Sequence, residues 1–215
     1  MGDGSRACDR TALARRARRG DLQGKMTQFD SSDLAGRFLI AMPGMGDPRF
    51  DRAVILVCAH SEEGTIGLIV NKPAPGASMS ELMGQLKIEK VPAQLLPGVQ
   101  FGGPVELARG FVLHTADWAN EGNTLQVDKT FAMTGTLDVL REMAAGGGPS
   151  RGLLALGYAG WGPGQLEAEI ARNAWLASEA APRIIFELPN AAKWEAALAV
   201  LGIDPLFLSA EGGRA

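Results

Sequence analysis

The order in which short apolar runs arrive along the chain constrains its fold more than any other feature. Residues 36–42 (GRFLIAM) end at Pro43, residues 53–60 form a second run, and residues 65–70 (TIGLIV) form a third. Each is short, rich in aliphatic and β-branched side chains, and bounded by turn chemistry, which is the mark of a strand. Ser61-Glu62-Glu63-Gly64 joins the second and third runs as a hairpin, and Asn71-Lys72-Pro73 closes it. Further strands are expected at residues 99–101, 110–115, 125–127, 131–134, 152–158 and 183–187. A helix is expected at residues 78–86, where Met79, Leu82, Met83 and Leu86 share one face behind Ser78 or Ser80 as N-cap. Others fit residues 136–145, 165–176 and 191–201. Strands thus come in consecutive groups instead of alternating with helices, which predicts an α+β fold and argues against a doubly wound parallel sheet. The 28 glycines suit many tight turns, because in helix interiors each would cost roughly 1 kcal/mol relative to Ala.

A chain of 215 residues allows one generous domain. No composition break or linker divides residues 31–208, so they are read as that domain, with a C-terminal tail at 209–215. Residues 1–30 differ in charge: seven basic side chains against four acidic ones make them +3, and the net −3 of the whole leaves −6 for the rest. This start reads as a mobile basic tail, or as a misassigned beginning with Met26 as the alternative start. An acidic body lacks the Lys and Arg contacts that give duplex binding most of its non-specific affinity, so DNA is not the expected partner. The longest clean apolar run, residues 53–59, falls well short of the roughly 18–20 residues that span a bilayer. The Arg-rich start has no secretory apolar segment, and Cys8 and Cys58 are the only cysteines. A structural disulfide is therefore not expected, and a reducing, cytoplasmic location is.

Four segments carry groups capable of chemistry. Residues 42–50 (MPGMGDPRF) present Asp47 from a rigid connection, where it either caps a turn or takes part in a site. His60 and His114 are the only histidines, each at the end of an expected strand. They suit an acid/base pair, or a metal triad with Asp47, but the spacing matches no zinc signature and no metal is expected. Cys58 reads as a small buried hydrophobe. Gly102 and Gly103 in FGGPV either turn the chain or aim backbone N–H groups at a phosphate or carboxylate, with Arg109 following. Tyr158 to Gln165 (YAGWGPGQ) leaves a strand through a glycine loop into a helix. Trp161 there either plugs the core or walls a pocket. Glu167 and Glu169 already complement the helix dipole, and two positions apart they point in different directions, which argues against a paired-carboxylate hydrolase. No serine-hydrolase elbow, P-loop or dinucleotide fingerprint occurs, so no cofactor is expected.

Taken together, these motifs resemble those of the YqgE/AlgH family of mostly uncharacterised bacterial proteins. The resemblance rests on Leu39-Ile40-Ala41-Met42-Pro43 with Asp47-Pro48-Arg49-Phe50, and on Gly64 through Asn71-Lys72-Pro73. It continues in Gly102-Gly103-Pro104-Val105 with Arg109 to His114, and in Gly157 to Trp161 with Gly164 to Glu167. It implies a curved, barrel-like sheet, mixed or mostly antiparallel, with flanking helices. Some members are labelled transcriptional regulators, yet no helix-turn-helix is visible here, and the family supplies no established catalytic residues. The resulting expectation is a cytoplasmic protein that binds a small molecule or a partner segment in a cleft formed by its motif loops. The cleft candidates are Asp47, His60, Asn71, Gly102, Gly103, Arg109, His114, Trp161 and Gln165. The alternatives are a transcriptional regulator acting through protein contacts and an enzyme using a histidine as acid or base.

Overall fold

The computed structural model describes residues 34–88, 91–136 and 138–208. Expectations for residues 1–30, Met26, Cys8 and residues 209–215 lie outside that range. The architecture is α+β, a curled and almost wholly antiparallel sheet bent into a half-barrel with helices around it.

The first three strands are β1 (Arg37–Ala41), β2 (Val54–Ser61) and β3 (Gly64–Ile69). They form an antiparallel meander in which Leu39 faces Ile55 and Ile55 faces Ile69. Phe38, Leu39, Ile40 and Val54 through Val57 are all fully buried. Both faces of β1 and of the first half of β2 are therefore covered, which explains why they read as continuous apolar runs and not as alternating ones. Helix α1 (Met79–Leu86) and the short β4 (Val99–Phe101) precede the long β5 (Val105–Thr115). Then come β6 (Thr124–Gln126), β7 (Phe131–Thr134), α2 (Asp138–Ala144), β8 (Gly152–Trp161), α3 (Gln165–Ala171) and β9 (Trp175–Glu179). Helices α4 (Pro182–Phe186) and α5 (Asn190–Val200) complete the set.

The strand order is β6-β7-β5-β8-β3-β2-β1-β9, with β4 alongside β8 as the parallel exception. Strand β8 joins two wings of the sheet. Its first half pairs with β5, Gly152 opposite His114, and its last residues pair with β3, Trp161 opposite Thr65. The changeover falls at Gly157, whose φ is +71°. A Cβ there would lie 2.5 Å from the Gly103 carbonyl oxygen and 2.7 Å from that of Val105, so only glycine fits the bend. Each wing has its own apolar core. One gathers Leu39, Ile55, Val57, Ile69, Trp161, Leu166 and Trp175. The other sets Met83, Val139, Leu140 and Met143 of α1 and α2 against Val99, Val112 and Leu154.

Two expected elements are corrected. Residues 183–187 are not a strand: Pro182 occupies the first helical turn of α4, where its fixed φ suits a helix start. Ile184, Ile185 and Phe186 are all buried, so the run carries no periodicity by which to tell helix from strand. The helix expected at 165–176 stops at Ala171. Asn173, at φ +58°, reverses the chain, and Trp175–Glu179 becomes β9, paired antiparallel with β1. Among the described residues no helix is long and apolar enough to cross a membrane.

Candidate functional site

The end of β8 carries a polar side-chain constellation drawn from several of the motif segments. The β2–β3 hairpin sets His60 opposite Thr65, and β3 sets Thr65 opposite Trp161. His60 Nδ1 is 2.7 Å from Thr65 Oγ1, while His60 Nε2 lies 3.5 Å from Glu167 Oε1. Glu167 arrives from α3 because the loop after Trp161 turns sharply: Gly164 takes φ +69°, and the Gly162 N–H donates to Gln165 Oε1 at 3.1 Å. The helix thus returns across the strand end and lays two carboxylates on it in different directions. Glu167 goes to His60. Glu169 accepts from both indoles through Oε2, Trp161 Nε1 at 2.9 Å and Trp175 Nε1 at 2.8 Å, and from Gln165 Nε2 through Oε1 at 2.9 Å.

These indoles also pack edge to face, with centroids 5.8 Å apart, and Phe50 meets Trp175 the same way at 5.7 Å. The loop bearing Asp47 is thereby tied to the same corner. Asp47 caps the short 3-10 turn Pro48–Phe50, accepting from the Arg49 N–H at 2.9 Å. Its carboxylate also binds the Arg49 guanidinium, with Nη2 to Oδ2 at 2.7 Å. Those side-chain bonds hold the Asp47 carboxyl below its usual range and raise the Arg49 pKa. Trp161 is 7% exposed, so it plugs the core while its N–H reaches the rim.

The remaining candidates stand elsewhere. His114 pairs with Gly152 at the opposite end of β8 from Trp161. Nine residue steps of strand separate those ends, roughly 30 Å along the strand at about 3.3 Å per residue. The two histidines therefore do not meet, and neither an acid/base pair nor a triad with Asp47 forms from them. His114 is fully buried. Its Nδ1 donates to the Thr115 carbonyl at 2.8 Å, which leaves Nε2 to accept from Thr134 Oγ1 at 2.9 Å. Thr134 in turn accepts from Thr124 Oγ1 at 2.8 Å, and Thr124 accepts from the Asn120 N–H at 3.0 Å. Burial pushes the His114 pKa down, opposed by the bond to Thr115 and the charge of Asp117.

Gly102 and Gly103 make a backbone crossing. The Gly102 N–H donates to Leu156 O at 2.8 Å and its carbonyl accepts from Ile69 N at 2.9 Å. A Cβ on Gly103 would fall 2.1 Å from the Tyr158 carbonyl carbon. Close approach explains these glycines, and the Gly102 N–H is already committed to the sheet. Asn71 is a staple: Oδ1 accepts from Val54 N and Nδ2 donates to Arg52 O, each at 2.8 Å. Arg109 lies exposed on β5, its guanidinium carbon 5.0 Å from the Phe111 ring centroid. Burial pushes the Cys58 thiol up to about 12, which makes it an inert core side chain. Among the described residues no three His, Cys, Asp or Glu side chains gather as a metal site.

In the sequence Glu167 and Glu169 stand out only as partners of the helix dipole, and no pattern singles out Thr65, Trp175 or Lys193. The spacing did hold one signal: Gln165 and Glu169 are an i,i+4 pair and share a helix face. Lys193 carried none. It is buried in α5, its Nζ donating to Val70 O at 2.7 Å, and burial pushes its pKa down to about 8.

Comparison with known proteins places the chain among relatives. A profile of the AlgH-like family matches residues 38–206. A UPF0301 protein of Jannaschia sp. is 56% identical over 184 residues, covering 85% of this chain and 96% of that one. One from Ruegeria pomeroyi is 55% identical, covering 85% of this chain and all of its own length. The solution structure of AlgH from Pseudomonas aeruginosa superposes with a TM-score of 0.68 at 42% identity, covering 87% of this chain and 99% of that one. A crystal structure from Corynebacterium diphtheriae, at 24% identity and TM-score 0.67, covers 89% and 97% and shares the fold. No specific activity is established among these uncharacterised relatives, and the chain belongs to the AlgH-like, UPF0301 family.

Proposed function

We propose that the protein binds a small molecule or a partner's segment at the end of β8, on the rim formed by His60, Glu167, Gln165 and the loop of Asp47. The observation that carries this reading is the division of labour between the two carboxylates of α3. Glu169 is taken up by three donors and fixes Trp161, Trp175 and Gln165. Glu167, with its side chain 38% exposed, stands beside an imidazole whose side chain is only 6% exposed. A rigid wall that presents the Glu167 carboxylate, while that of Asp47 is held by Arg49, suits a ligand that offers N–H or ammonium donors, because the wall needs no reordering on binding. Asn71, Gly102, Gly103, Arg109 and His114 stand outside this rim and serve the reading only as scaffold.

The same reading keeps the protein in the cytoplasm, supported by the unpaired thiol of Cys58. The net charge of the acidic body also argues against duplex DNA as its partner. Mass spectrometry of molecules copurifying with the wild type and with Glu167→Gln tests it. A species enriched on the wild type and depleted on the variant is expected. An identical set on both proteins would defeat the proposal.

A further inference from the structure

A hollow of about 250 Å³ opens on the other wing, over β5, β7 and the loop before β6. Phe111, Leu125 and Met133 form its apolar walls, and Arg109, Asn123 and Gly135 its polar edge. It is smaller than the roughly 300–1,000 Å³ of pockets for drug-sized ligands, so it suits something small.

Its cation stands at the edge of the hollow. The Arg109 guanidinium carbon lies over the Phe111 ring, 5.0 Å from its centroid, a cation–π contact. Its Nη2 lies 3.7 Å from where a Cβ on Gly135 would stand, so it approaches the β7–α2 loop over a residue that has no side chain. Among the described residues its side-chain acceptor is Glu106, through Nη1 at 3.2 Å. That contact is longer than the usual 2.7–2.9 Å of a charge-assisted bond and uses one of five N–H donors. Glu106 itself sits at φ +50°, in the irregular stretch of β5 between Val105 and Gly110. A carboxylate thus already occupies one corner of the fork, loosely, while the rest of the fork remains for a second.

We propose that this hollow binds a small organic carboxylate with a flat or branched apolar body. The carboxylate pairs with the guanidinium fork of Arg109, displacing Glu106, and the body lies against Phe111, Leu125 and Met133. Asn123 supplies a polar contact at the edge. The site stands apart from the rim at the end of β8 and is independent of the function proposed there.

The test titrates the full chain with 3-phenylpropionate, followed by ¹⁵N-detected NMR, beside its neutral amide and inorganic phosphate at matched ionic strength. Saturable shifts at Arg109, Asn123 and Gly135 are expected, with the amide at least about tenfold weaker. Arg109→Gln should cost about tenfold or more, Arg109→Lys should recover only part of it, and Glu106→Gln should tighten binding about two- to fivefold. Arg109 and Glu106 are both exposed, so the three variants leave the fold intact, which the spectra report directly. No saturable shift up to about 10 mM would overturn the proposal. Equal binding of phosphate, or binding unchanged in Arg109→Gln, would overturn it as well.

Discussion

Glu169 illustrates how much one side chain settles at the residue scale. Two indole N–H groups, one on β8 and one on β9, end on a single carboxylate oxygen. Glu169→Ala strands both, at about 1–3 kcal/mol for each buried donor left unpaired. A melting temperature lower by at least about 4 °C is expected, since the two donors together cost about 2 kcal/mol or more and 1 kcal/mol moves a domain of this size by about 2–4 °C. Glu167→Gln keeps the side chain's shape at a pair whose carboxylate is 38% exposed and whose imidazole is 6% exposed, and should stay within about 1 kcal/mol of the wild type in the same scan. Two buried bases add a pH signature. Burial lowers the native pKa of His114 from 6.5, and that of Lys193 from 10.5 to about 8. In each case the unfolded chain binds more protons between the two values, so stability rises with pH across that window and falls as pH drops through it. The windows lie just below 6.5 for His114 and between about 8 and 10.5 for Lys193, with slopes of at most about 1.4 kcal/mol per pH unit. Urea unfolding at a series of pH values checks this, and Lys193→Met should remove the alkaline slope alone.

At the scale of elements, the bend of β8 decides the architecture. Gly157→Ala imposes a left-handed residue with a side chain and drives its Cβ into two carbonyl oxygens. The conformational and steric costs together come to about 3 kcal/mol or more, so the melting temperature should fall by roughly 6–12 °C. The elements legible in the sequence were those with punctuation. Gly64 marked the β2–β3 hairpin, and the apolar face of residues 79–86 marked α1. The illegible ones were decided by tertiary burial. Ile184, Ile185 and Phe186 are covered whatever their conformation, and residues 174–177 (AWLA) continue a helical pattern that Asn173 interrupts. The candidate site was legible only in part for a related reason. Strand-end positions for His60 and His114 follow from pattern, but which end of the sheet each occupies depends on strand direction and register, which periodicity does not carry.

For the whole molecule, the acidic body predicts that a chain starting at Met26 shows no sequence-selective, submicromolar binding to duplex DNA at physiological salt, as measured by fluorescence anisotropy. The ligand rim at the end of β8 can be probed with a screen of small polar fragments against the ¹⁵N-labelled protein. A class of N–H-bearing fragments should shift the Trp161 and Trp175 indole N–H signals and the Gln165 side-chain amide together, and Glu167→Gln should weaken those shifts about tenfold. Fragments that bind saturably elsewhere while those three signals stay unmoved would contradict it.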